Sequence, residues 1–431
     1  MDFKFKSVKN PYFIGIGGIG VSAIAKMFLL EGKSVGGSDT IPSDIIKELQ
    51  KAGAEILIGQ DEKHIPAGTD LVIYSIALDK FAPDFMKEVR KKVKNVISYP
   101  QALSIISKDK YTIAIAGTHG KTTTTAMVAK ILIDAGLDPT VIIGSILFDQ
   151  KSNFIAGKSK YLIVEACEYC RSFLEINPTI VGITTIDADH LDYYKNLNEI
   201  AVAFKEFVLK VPDEGLVVGN NNDKWISETM SVSASDIVDS NKYFDPNIKL
   251  KIPGEHNRKN ASIALAIAEF LGVSKNSAIK SLENFSGTWR RFEYKGQTKG
   301  GALIYDDYGH HPTEIKATIE GAKELYPKNK IVVVFQPHLF SRTKELFGGF
   351  AECFANADEA IILPIYPARE EFDPSISSEM LASKIKNTKA SYSPDFFSGT
   401  KILEKFGDDT VIILSGAGDI DKLAPMITDA K

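Results

Sequence analysis

The chain has little cysteine, no excess of positive charge and no apolar run long enough to cross a bilayer. The three cysteines among its 431 residues, Cys167, Cys170 and Cys353, are too few for a disulfide framework and fit a reducing cytoplasm. A formal net charge of -4, with no basic tract, excludes a general nucleic-acid-binding role. No membrane span is expected. Low-complexity linkers and strict short repeats are absent as well. The apolar stretch after Lys9 has the hydrophobicity of a signal-peptide core, but its glycines and the helical pattern "SAIAKMFLLEG" favour a folded βα unit.

What is present is ordinary for a soluble globular protein: 44% apolar and 25% charged residues, in a chain too long for one core. Short β-branched runs alternate with helical patterns from end to end. "YFIGIG", "AEILIG" and "DLVIYSIA" come first, "YTIAIAG", "YLIVEA", "IVGITTI" and "LVVGN" follow, and "IVVVFQP", "EAIILPIY" and "TVIILSG" come last. Such runs predict strands of mostly parallel sheets buried on both faces, hence an α/β fold. Boundaries are expected near Lys108 to Lys110 and, after the helix-rich stretch from Asn260 to Asn284, near Gly287. Three domains result: 1–108, Rossmann-like; 109–287, a central ATP-binding domain; and 288–431, again Rossmann-like α/β.

Two glycine loops carry phosphate chemistry. The first, Gly15, Gly17, Gly18 and Gly20, is a G-x-G-x-x-G turn that lets backbone approach a diphosphate at a helix N-terminus. Ser38 and Asp39 stand where a ribose contact is expected, and Ser75 follows the third apparent strand. The second loop, Gly117-Thr118-His119-Gly120-Lys121-Thr122-Thr123, joins a strand to a helix, as a nucleoside-triphosphate loop does, although Ile115 stands where the full pattern has glycine. Lys121 would meet the β- and γ-phosphates and Thr122 a magnesium ion. The next strand ends at Glu165, the best magnesium carboxylate, and "DADHLDYY" offers Asp187, Asp189, His190 and Asp192. His190 is a candidate further ligand.

"GTHGKTTTT", "DADHLDYY", "PGEHNRKNASIALAIA", "WRRFEYKG", "DDYGHHPTEI" and "FQPHLFSRT", in this order, resemble the Mur ligase family over essentially the whole chain. The last two segments are similar to the branch that joins L-alanine to UDP-N-acetylmuramate. The resemblance implies a UDP-sugar domain, a central ATPase and a C-terminal domain that receives the amino acid. ATP would activate the muramate carboxyl as an acyl phosphate. By the same resemblance, the first glycine loop cradles the UDP diphosphate and Arg291 offsets phosphate charge, with Arg290 a solvated neighbour. Asn257 and Asn260 lie on the adenine side, Asn260 also capping the helix that follows, and Asp307 meets the ribose. His310 sits near the acyl phosphate and amine and His311 is structural. His338 and Arg342 bind a carboxylate, with Tyr308 lining the same space.

Departures from the family pattern are equally specific. Cys167 and Cys170 replace acidic residues of an E-x-D-E-x-D run and are expected to pack beside the ATPase strand; Leu339 replaces a common basic residue. The first glycine loop alone would suit an NAD-dependent oxidoreductase, but "GTHGKTT" opposes that. A ligase adding a murein tripeptide to the same sugar is opposed by "FQPHLFSRT". A nucleotide-binding protein without turnover is opposed by Lys121, Glu165, Arg291 and His310 together. Monomer and homodimer remain equally compatible with the sequence.

Overall fold

The computed structural model describes residues 5–368 and 370–428. Its strands form three sheets. In the first, the spatial order is Glu55–Ile58, Gly36–Asp39, Pro11–Ile14, Leu71–Tyr74 and Val96–Ser98, all parallel. The second runs Asp236–Asp239, Leu216–Gly219, Ile180–Ile183, Tyr111–Ala116, Tyr161–Ala166, Thr140–Leu147 and Ser152–Ile155, parallel except for the last pair. In the third, an antiparallel edge strand Glu293–Gln297 precedes Leu303–Asp307, Thr410–Ser415, Lys330–Phe335, Glu359–Ile362 and Lys389–Tyr392. These are the doubly wound α/β sheets that the alternating pattern predicts. Among the described residues no helix is long and apolar enough to cross a membrane.

By packing, the chain divides into two compact units. One comprises residues 1–186, 198–243 and 261–282 and holds the first two sheets; the other comprises 187–197, 244–260 and 283–431 and holds the third. In the first unit, the hairpin that ends the second sheet packs on helix Ile19–Leu30 of the first. The Asn153 amide there donates to the Ile19 carbonyl and to the Ser22 hydroxyl.

Burial on both faces holds for the central strands. In the third sheet Ile331, Val333 and Phe335 enter one apolar cluster and Val332 and Val334 another, the alternation a strand imposes. The expectation fails at the first sheet's edge. Strand Glu55–Ile58 buries only Ile56, because no strand or helix covers the outer side of an edge as neighbours cover a central strand.

Arg290 corrects another expectation. It is buried, not solvated: its guanidinium donates to Asp306 at 3.0 Å and to the carbonyls of Gly418 and Gly416 at 3.0 and 2.7 Å. A fork of fixed donors ties the start of the third sheet to the loop after its strand Thr410–Ser415. Removing one member of such a pair leaves a buried charge without its partner. Arg290→Ala is expected to destabilise the protein by about 3–5 kcal/mol, and Arg290→Lys to recover only part of it, as read by chemical denaturation.

Candidate active site

The first unit contains a strand–loop–helix turn of the kind that receives phosphates. Strand Tyr111–Ala116 ends in Gly117, whose φ of +140° and close approach to Thr184 leave no room for a side chain: a Cβ would stand 1.9 Å from the Thr184 hydroxyl oxygen. The next amides are held by the neighbouring strand's end, Thr118 N–H donating to the Thr185 carbonyl and His119 N–H to the Thr185 hydroxyl, both at 2.8 Å. Gly120, in a left-handed conformation, turns the chain into helix Lys121–Asp134. That helix presents its N-terminal N–H groups, and their partial positive charge, beside the loop.

Two carboxylates meet this loop. Thr122 Oγ1 donates to Glu165 at 2.9 Å, while the other Glu165 oxygen accepts Gly144 N–H at 2.8 Å. The Lys121 ammonium is 2.9 Å from Glu168, which is almost wholly buried, and also donates to the carbonyls of Gly117 and Thr118. Burial works against a charged lysine, but Glu168 and further negative neighbours outweigh it and raise Lys121 above its ordinary value. Glu168 was not singled out from sequence; its one signal was its place three residues after Glu165. Hydroxyl and carboxylate oxygens side by side are the donors a hard divalent cation takes, so Thr122 and Glu165 fit magnesium. The expected third ligand, His190, belongs to the other unit.

The cysteines do not pack as expected. Cys167 is exposed and Cys170 half-buried, with Cys170 and Arg171 both at positive φ. The turn that brings Glu168 to Lys121 rotates Cys167 out of the strand's buried face.

The first glycine loop lies in the same unit. Gly15 and Ile16 N–H groups donate to the Ser38 carbonyl and Gly17 N–H to Asp39 at 2.8 Å, so both residues shape the loop; Ser38 itself is buried. A Cβ on Gly15 would lie 3.1 Å from that of Ser75, which places Ser75 beside the loop. Gly18 starts helix Ile19–Leu30, and Gly20 lies in its first turn.

The second unit gathers the motifs predicted for the amino-acid end. Asp189 takes the Arg342 guanidinium at 3.2 Å, and Arg342 also reaches His338 Nδ1 at 3.2 Å. Burial opposes the charge on Asp189, but His190 and Arg342 outweigh it and hold its carboxyl well below the usual range. The rings of His338 and Tyr366 stack at 5.8 Å, fixed by Leu339 N–H donating to the Tyr366 carbonyl. Sequence reasoning missed Tyr366, whose neighbours in the chain carry no motif. Leu339, at φ +70°, starts helix Phe340–Glu345 and lines a pocket with Asp189, His190, Arg342, Glu345 and Leu346.

His310 lies 6.0 Å from His338, ring to ring. Its N–H donates to Glu314 and its Nδ1 is 3.0 Å from the Tyr308 carbonyl, an arrangement that leaves Nε2 as the ring's acceptor. Arg291 is 3.7 Å from Glu314 and 5.4 Å from the centre of the Tyr308 ring. His311 starts helix Pro312–Leu325, accepting the Thr313 N–H, and its Nε2 is 3.2 Å from the Ala188 carbonyl. Asp307 is buried, and its oxygens accept from Phe292 N–H, Gly309 N–H and the Thr318 hydroxyl. It holds two turns together, and little of it is left to meet a ribose.

Asn260 is not a cap. Helix Glu255–Phe270 begins six residues earlier than expected, on Gly254 at φ +99°, and Asn260 lies inside it, its amide 3.4 Å from Asn257 Oδ1. Asn257 in turn donates to the Pro253 carbonyl at 2.7 Å.

Burial pushes His310 down to about 4, so the folded protein holds the neutral ring. Because an unfolded histidine binds its proton near 6.5, the stability this group contributes is complete above pH 6.5 and is lost as pH falls toward 4. An NMR titration of the His310 ring is expected to show its midpoint well below 6; a midpoint near 6.5 would show that burial does not hold the ring neutral.

The Mur ligase family catalytic-domain pattern matches residues 10–111, the Mur ligase middle domain residues 115–244, and the Mur ligase glutamate ligase domain residues 290–418. The chain is 40% identical to a "UDP-N-acetylmuramate--L-alanine ligase" of Clostridium acetobutylicum, over 99% of this chain and 98% of that one. A protein of the same name from Clostridium tetani is also 40% identical, over 98% of each. Among solved structures, a UDP-N-acetylmuramate-alanine ligase from Thermotoga maritima superposes with a TM-score of 0.80 at 28% identity, covering 97% of this chain and 98% of its own. A murein peptide ligase from Psychrobacter arcticus, 23% identical with a TM-score of 0.73 and the same coverage, shares the fold.

Proposed function

The chain belongs to the Mur ligase family, and from that premise we propose that it joins L-alanine to the lactyl carboxylate of UDP-N-acetylmuramate, cleaving ATP to ADP and phosphate. This would be a step of peptidoglycan precursor synthesis in the cytoplasm. The names of the full-length relatives support the substrates. The observation that carries the chemistry is the phosphate loop whose lysine and threonine meet Glu168 and Glu165 at 2.9 Å. Residues 1–108, 109–287 and 288–431 are proposed as the UDP-sugar, ATP and amino-acid domains.

A carboxylate is a poor electrophile. In the proposed reaction it attacks the γ-phosphorus, the bond to the bridging oxygen breaks, and ADP leaves. The amine of alanine then attacks the acyl carbonyl and phosphate departs. Both partners of the first step are anions, so the chain must supply positive charge where they meet. Lys121 and the N–H groups from Gly120 to Thr123 serve the phosphates, on a loop whose Thr118 and His119 amides are held by Thr185, and Arg291 is assigned the developing charge. Thr122 and Glu165, with His190 as the proposed further ligand, would hold magnesium, which when bound neutralises phosphate charge. Asn257 and Asn260 are proposed on the adenine side.

For the second step a neutral His310 suits acceptance of the amine's proton at Nε2. Arg342, oriented by Asp189 and backed by His338, is proposed to take the amino-acid carboxylate, with Tyr308 beside them. Gly15 to Gly20 would receive the UDP diphosphate, with Asp39 and Ser75 at its margin.

Phosphate release from ATP with magnesium and UDP-N-acetylmuramate, measured across amino acids and short peptides, is expected to be fastest with L-alanine. Release that depends on a tripeptide instead would move the chain to another branch of the family. Lys121→Ala is expected to lower turnover by about a thousandfold or more while UDP-sugar binding persists. Near-normal turnover in that variant would refute the assignment of the loop.

A further inference from the structure

Tyr99 carries no motif, yet its ring lies against Gly20 of the first glycine loop. Strand Val96–Ser98 ends in a capping box, Ser98 accepting the Gln101 N–H while the Gln101 side chain accepts that of Ser98. The box starts helix Tyr99–Lys108 abruptly, so Tyr99 leaves the first sheet at the end where its neighbours carry Gly15 and Ser75. The hydroxyl-bearing end of its ring rests on Gly20: a Cβ there would stand 2.7 Å from Tyr99 Cζ. A side chain at this position would therefore displace the tyrosine ring.

The helix that Tyr99 starts packs against the turn Tyr169–Glu175, which follows the strand ending at Glu165, and the phenol lies within electrostatic reach of Glu165. Burial, followed by Glu165 and Cys167, raises the phenol above its ordinary range, so it remains an O–H donor at any working pH. The residue as a whole is half-buried.

If the first loop holds the diphosphate, the sugar and its lactyl carboxylate must run from Gly20 toward Glu165 for the carboxylate to meet the γ-phosphorus. A phenol on that line is an oriented donor to an anion, and such charge-assisted bonds are the stronger ones. We infer that Tyr99 is a substrate-holding residue of the ligase, its hydroxyl donating a hydrogen bond to the lactyl side of UDP-N-acetylmuramate and turning the carboxylate toward the phosphoryl site. The inference rests on the function proposed above and adds a residue that selects the muramoyl group over a plain hexosamine.

Tyr99→Phe tests it, because the ring stays on Gly20 and only the hydroxyl is lost. Calorimetric titration of the full-length protein with UDP-N-acetylmuramate and with UDP-N-acetylglucosamine, which lacks the lactyl group, separates the possibilities. The variant is expected to bind the muramate about tenfold or more weakly and the hexosamine unchanged, with kcat reduced and KM for ATP unaltered. Equal muramate affinity in both proteins overturns the inference, as does an equal loss for both sugars, which would place the hydroxyl at the uridine diphosphate or in the fold. Failure of the wild-type protein to bind either sugar would instead overturn the reading of the first loop, and this inference with it.

Discussion

Parallel pairing of Tyr111–Ala116 with Tyr161–Ala166 sets Ile115 opposite Glu165 and Ala116 opposite Ala166. On this register the phosphate loop depends. Side chains alternate along a strand, so a slip of one residue would turn Glu165 to the opposite face and leave Thr122 without its 2.9 Å partner. The Glu165 oxygen not used by Thr122 accepts the Gly144 N–H from the next strand, so three elements are joined at one carboxylate. Those strands have apolar interiors, and burial of Ile113, Ile163 and Val164 holds the register that the polar ends require.

Carboxylates organise the second unit too, through cations. Asp306 fixes Arg290, Asp189 fixes Arg342, and Asp307 ties two turns by three hydrogen bonds. A buried ion pair contributes little net stability over apolar packing, but it penalises any arrangement that separates its members. The positive φ values at Arg290, Phe292 and Leu339 lie in the segments these pairs and their neighbours hold. Strain of that kind persists only where the surroundings overdetermine the backbone. A fixed Arg342 and a neutral His310 are the outcome, one suited to an anion and the other to a proton.

The proposed chemistry uses these features in a consistent way. Lys121 is held by a carboxylate and by carbonyls of its own loop, all of which a triphosphate can replace as partners of the ammonium. The first glycine loop is braced by Asp39 within the same unit, and Tyr99 packs against its Gly20. Asn153 ties the second sheet to the helix that follows this loop. In the proposed function the sugar and nucleotide regions would thus be joined through a side chain that carries no catalytic signal on its own.

The α/β class, the strands and the two glycine loops were legible in the sequence because they rest on local periodicity and on backbone turns only glycine tolerates. Lys121, Thr122 and Glu165 were legible for the same reason: each lies at a strand end or helix start. Tertiary structure alone decided what depends on distant partners. Glu168 reaches Lys121 through a turn at Cys170 and Arg171, and Arg290 is buried because Asp306 and two carbonyls meet it. Tyr366 joins His338 by a backbone bridge, and Tyr99 finds Gly20 across 79 positions of chain. The start of the helix containing Asn260 was misread because a left-handed Gly254 six residues earlier begins it, at a place where Gly321 packs close against it. Periodicity records which face of an element is apolar. It does not record which polar side chain from another part of the chain will neutralise a charge there, because that pairing is made only when the sheets assemble.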